Sequence, residues 1–370
     1  MRKFYSKARE YIPIVPFVIF ALTLISLIIF LLVVIITPFA DFFNYNVSYP
    51  FRVVISSITT ILPFSLAEVL LILIPVWLAL LIFIACRVAK KGKRHSLRFL
   101  SWVLTIPCFI FITFVWTYSS GYHGKTIDTK MGLDCDNITE LQLYESANII
   151  IDNLNQLSEN ITYDESGASV MPYSYREMSK KICTLYDDFE DEYKVLRNFR
   201  TQVKPIMLSK PMTYTHLSGI YSFMTGEANV NVNYPDYIVA SSSAHELAHQ
   251  RGIAREDECN LIAFVVLSKS EDDFLKYSAY LDVYSYIMNE LYERDRTLYN
   301  LARERLCYSV KADLRSYSEF FNEYRNSKAS QVTDKINNSY LQANGQENGT
   351  ESYSMVTRLV CAYLTKESTN

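Results

Sequence analysis

The chain has 370 residues, half of them apolar, and a formal net charge of −3. That near-neutral balance, with one dense basic cluster between Arg87 and Arg98, gives no sign of a nucleic-acid partner. The long uncharged runs are confined to the first 120 residues, which separates a membrane region, 1–120, from one fair-sized domain, 121–370.

No charged residue occurs from Val15 to Ile36. Crossing a hydrocarbon core about 30 Å thick takes ~20 residues, so this run is long enough for a span. Further uncharged runs extend from Val69 to Cys86 and from Phe99 to Ser120. The sequence therefore predicts three transmembrane helices, at about 13–37, 65–87 and 98–119. Arg2, Lys3, Lys7 and Arg9 precede the first, and the basic cluster joins the second to the third. The connection between the first two holds only Arg52. Because Lys and Arg beside short loops resist translocation, the N-terminus is expected in the cytoplasm and everything after Ser120 outside it. Glu68, at the start of the second span, is expected at the outer interface, and Pro75 is expected to kink the helix. Five of the seven cysteines lie beyond the spans, an odd number with no CxxC spacing.

The exported domain reads as mainly α, with a small β element. Helices are expected at Thr139 to Leu157, Tyr175 to Leu196, Ala244 to Arg251, Glu256 to Ser268, Asp272 to Glu293, Thr297 to Leu306, Ser309 to Asn326, Ala329 to Ala343 and Glu351 to Thr365. Between Asn229 and Asn233, asparagines alternate with Val230 and Val232, the period of a half-buried strand.

Ser242 to Gly252 contains His-Glu-x-x-His. Residues four apart share a helix face, so His245 and His249 can both turn an imidazole toward one Zn²⁺. Glu246 lies beside them, placed to take a proton from an attacking water. Ser243 and Glu246 also fit a capping box, in which the glutamate marks only a helix start. A catalytic zinc needs a third protein ligand, and Glu256 is the leading candidate, with Glu258 the alternative. On one straight helix Glu256 would stand about 10 Å beyond His249 along the axis. The chain must therefore reverse, and Gly252 is the residue suited to a left-handed stop. Asn260 would then share a face with Glu256 and could hydrogen-bond to a ligating histidine.

The run from His245 to Asn260, with Gly226-Glu227-Ala228-Asn229 before it and Tyr340 to Gln346 after it, resembles an uncharacterised family of three-span bacterial membrane proteins (domain of unknown function 3810). The Glu256-x-x-x-Asn260 step is similar to that of gluzincin metallopeptidases, which implies Glu256 as third ligand and a zincin-like domain. The interval from His249 to Glu256 is shorter than is usual in gluzincins. His249-x-x-Gly252 is reminiscent of metzincins, whose third histidine would fall on Arg255. By the same gluzincin resemblance, Asn229, Asn231 and Asn233 would lie on an edge strand that pairs with an extended substrate. Tyr280 is taken as a further substrate-binding candidate, and His216, Tyr277, Tyr280 and Tyr284 as candidates to stabilise an oxyanion.

Together these features imply a membrane-anchored zinc metallopeptidase whose partners are the lipid bilayer and an extracytoplasmic peptide or protein. The alternatives are a non-catalytic zinc-binding scaffold or assembly factor at the cell envelope, and a zinc amidase acting on cell-wall peptides.

Overall fold

The structure, a computed structural model, describes residues 11–344 and 353–369. Arg2, Lys3, Lys7 and Arg9, the end of the Tyr340 to Gln346 segment, and the start of the helix expected from Glu351 lie outside the described residues. The described residues are mainly helical, with one three-stranded sheet among them.

Among the described residues, two helices are long and apolar enough to cross a membrane: α1 (Ile14–Ile35) and α5 (Lys93–Thr117), which pack against each other. Between them, α2 (Tyr49–Thr60) is followed by α3 (Leu66–Ile72) and α4 (Ile74–Ala89), an apolar pair bent by 51°. The bend falls at Leu73, just before Pro75, whose missing N–H and ring disfavour an unbroken helix. The segment joining α1 to α3 is a folded part of the molecule. It contains a single-turn helix, a π-helix over Phe43–Ser48 and then α2.

Within the domain, α6 (Glu140–Leu157) starts at a capping box formed by Thr139 and Gln142. Helix α7 (Tyr175–Tyr193) is capped by Ser174 and stops at Lys194, which takes the left-handed conformation. The sheet follows, with β1 (Val203–Pro205), β2 (Gly219–Ser222) and β3 (Glu227–Val230) in the order β1-β3-β2. Strand β3 is central, parallel to β1 and antiparallel to β2. This corrects the expectation of a half-buried edge strand at Asn229 to Asn233: the strand ends at Val230, is central, and is buried on both faces.

Helix α8 (Asp236–Gln250) crosses the sheet, and α9 (Glu256–Ser268) runs back along it. Helix α10 (Asp273–Arg294) packs on α6, α8 and α9, so the motif-bearing helix is enclosed by the main apolar core. After a short helix at Arg296–Arg305, α11 (Tyr308–Asn322), α12 (Lys328–Ala343) and α13 (Tyr353–Thr369) complete the chain. Because α8 begins at Asp236, Ser243 is mid-helix and its hydroxyl donates to the Val239 carbonyl, so the capping-box reading does not hold.

Packing is continuous across residue 120. The Glu227 carboxylate accepts the N–H groups of Leu66 and Ala67 and pairs with the buried ammonium of Lys204. Reciprocally, Glu68 accepts the N–H groups of Met207 and Leu208, which accounts for a buried carboxylate at the start of α3. The Lys204 ammonium also donates to the Thr59 and Phe64 carbonyls, so the buried pair is itself bonded across the junction.

Candidate metal centre

Helix α8 ends at a turn whose geometry explains the reversal. Gly252 has φ +98°, its N–H bonds to the His249 carbonyl, and the Ile253 N–H reaches back to the Ala248 carbonyl. That pair of bonds is the Schellman stop, which favours glycine at the left-handed position. Helix α9 then starts at Glu256 beside the last turns of α8.

The reversal brings three atoms together. His245 Nε2 lies 3.0 Å from His249 Nε2 and 3.1 Å from Glu256 Oε2, and His249 Nε2 lies 3.5 Å from the same oxygen. Ligand atoms around a tetrahedral zinc at 2.0–2.1 Å would stand about 3.3 Å apart, so the spacing fits a small tetrahedral cation. The protonation pattern points the same way. His249 Nδ1 donates to the Ile253 carbonyl at 2.9 Å, and His245 Nδ1 donates to Asn260 Oδ1 at 2.8 Å. Both Nε2 atoms are then bare acceptors that face a carboxylate, an arrangement that calls for a cation. Without a cation, protonated imidazoles would take that role: burial raises the Glu256 carboxyl, but the charge of His249 and hydrogen bonds from both rings outweigh it and hold the group well below the usual carboxylate range.

Glu246 projects from the same helix and is 5 % exposed, with Oε2 lacking a hydrogen-bond partner. Burial raises its carboxyl to about 8, opposed by His245 and assisted by Glu256. Gly219 of β2 gives it room: a Cβ there would come within 2.5 Å of Glu246 Oε1. His245, Glu246, Glu256 and Asn260 all line one cavity of about 700 Å³, with Gly219, Asp282 and Asp334 among its other walls.

Several expected residues lie elsewhere. The Glu258 carboxylate accepts the Ile127 N–H and pairs with Arg255, which commits it away from the histidines. Asn229 and Asn231 are buried and bond to nearby backbone and to Thr213, while Asn233 bonds to Thr213 and Tyr324, so all three brace the sheet and its loop. Tyr280 packs edge-on against Phe264, and the Tyr277 hydroxyl donates to Asp313. Neither residue, nor Tyr284, lines the cavity. His216 does, with Nε2 donating to the Tyr324 carbonyl.

Sequence reasoning missed Gly219, Asp282 and Tyr118. The Tyr118 hydroxyl lies 2.9 Å from His249 Nδ1, and nothing in the residues around it signals that contact. A second grouping, His245, His249 and Cys259, also falls within 4.8 Å. There the thiol approaches His249 Nδ1, the nitrogen that faces away from Glu256, and burial pushes its pKa well up, which favours a neutral packing group.

Fold and site together define a membrane protein whose helical domain brings two histidines and two glutamates of the HExxH helix and its neighbour together beside a cavity. The chain belongs to the family described as protein of unknown function (DUF3810), whose model matches residues 45–361. No curated protein and no solved structure matches it.

Proposed function

We propose that this protein is a membrane-anchored, zinc-dependent metallopeptidase with a zincin-like domain. The observation that carries the reading is the meeting of His245 Nε2, His249 Nε2 and Glu256 Oε2 within 3.5 Å, beside the unpaired carboxyl oxygen of Glu246. The two histidines and Glu256 would hold the zinc, which when bound supplies Lewis-acid polarisation of a carbonyl. Asn260 and the Ile253 carbonyl fix the ring tautomers. Glu246 is the group that accepts and returns a proton at Oε2, where burial keeps bulk water from competing. Beside it β2 has an edge that no other strand among the described residues covers, which suits an extended peptide backbone. The cavity lining holds Asp282 and Asp334 and no Lys or Arg, so a neutral or basic peptide fits better than an acidic one.

The bent α3–α4 pair is read as the third span. Helix α5, 25 residues long, carries the basic connection at one end and the metal centre at the other, about 37 Å apart, roughly a bilayer's thickness. With Arg87 to Arg98 on the cytoplasmic side, the site faces outward and the substrate is an extracytoplasmic peptide or protein.

The test compares cell-envelope proteomes of a deletion strain complemented with wild type or with Glu246→Gln. Peptide fragments present only with wild type are expected, together with equal zinc in both purified proteins, because a general base is not a ligand. Identical fragments in the two strains would reject the role of Glu246. Zinc without any hydrolysis in wild type would support a scaffold.

A further inference from the structure

The membrane region does more than tether the metal centre. Tyr118 follows the last residue of α5, is 5 % exposed, and places its hydroxyl 2.9 Å from His249 Nδ1. That nitrogen carries its proton when Nε2 faces the cation site, so the hydroxyl oxygen shares the N–H with the Ile253 carbonyl. The same short segment also holds the start of α9. The Tyr122 carbonyl accepts from Nε and Nη2 of Arg255, the residue before Glu256, and the Ile127 N–H bonds to Glu258. Gly121 lies so close to the turn that a Cβ there would stand 2.6 Å from the Gly252 carbonyl oxygen.

From the other side, Arg52 of α2 closes the clamp. Its fully buried guanidinium donates to the Thr117 carbonyl at the end of α5 at 2.9 Å and to the Arg251 carbonyl at the end of α8 at 3.4 Å. Asn44, which also accepts from Arg52, donates to the Gly252 carbonyl. The reversal that returns Glu256 to the histidines is thus held by residues that precede the domain.

We propose that Tyr118 is a positioning residue of the metal centre, acting through His249, and that the end of the third span and the Arg52 helix form part of the site. This rests on the zinc reading above. A hydrogen bond to the free nitrogen of a ligating imidazole fixes its orientation, and loss of such partners costs about 10–100-fold in metal affinity.

The experiment uses the full chain in detergent. Zinc affinity is measured by competition with a chelator, and the visible spectrum is recorded after cobalt substitution, for wild type, Tyr118→Phe and Arg52→Gln. Tyr118→Phe keeps the ring and its packing, so its thermal unfolding without metal should match wild type. Its zinc affinity should fall about 10-fold and its cobalt bands should shift. Arg52→Gln should weaken zinc as well, with retained helix content showing that the chain still folds. Equal zinc affinity and identical cobalt spectra in Tyr118→Phe and wild type would overturn the positioning role alone. A wild-type chain that holds no zinc would overturn the metal reading and the positioning role together.

Discussion

Glu256 and Glu258 stand two residues apart on the first turn of α9 and meet opposite surroundings. Glu256 faces two imidazoles, whereas Glu258 is spent on a backbone N–H and Arg255, with burial raising its carboxyl to about 7. Glu256→Gln should therefore weaken zinc binding by more than the roughly 10–100-fold typical of lost outer hydrogen bonds, because a neutral amide replaces a ligating carboxylate. Glu258→Gln should leave zinc affinity within a few-fold and lower the melting temperature instead. Zinc titration of both variants decides this, and equal losses would contradict the assignment. That His245, Glu246, His249, Glu256 and Asn260 would meet was legible because helix periodicity and a glycine stop are local rules. Tyr118, Gly219 and Asp282 were not, since each reaches the site through long-range packing.

At the scale of elements, the helix pair and its turn carry the site, and the turn is where a single change acts most sharply. Gly252 has φ +98°, and a Cβ there would also meet the Arg52 guanidinium at 2.5 Å and Asn44 Oδ1 at 2.7 Å. Gly252→Val adds a β-branched side chain to a left-handed position inside the clamp, so the full chain should lose zinc and melt several degrees lower. A valine variant with wild-type zinc content and melting temperature would show that the reversal does not depend on this turn. Helix ends set by side-chain caps were readable, as at Thr139 and Asp272. The start of α8 was not, because Ser241, Ser242 and Ser243 look like helix-start residues yet serve as small buried groups in mid-helix. The asparagine strand was misplaced for a related reason. Alternation suggests one buried face, but this strand is buried on both, because its burial and its central place depend on which elements join it from elsewhere in the chain.

For the whole molecule, hydropathy located the apolar helices and could not show how they join the domain. A division at residue 120 separates two compositions, yet Arg52, Glu68 and Glu227 tie the two sides by hydrogen bonds. The orientation has its own check: a reporter fused after Lys130 should be active only outside the cytoplasm and one near Lys93 only inside, and the reverse pattern would move the substrate to the cytosol. The central claim, that two histidines and a carboxylate of this chain hold a zinc ion, is tested most directly by X-ray absorption at the zinc edge on the purified full chain. The account predicts one zinc per chain with nitrogen and oxygen neighbours at about 2.0–2.1 Å, two of them imidazoles. A protein without zinc, or a sulfur neighbour at about 2.3 Å that would bring Cys259 into the site, would contradict it.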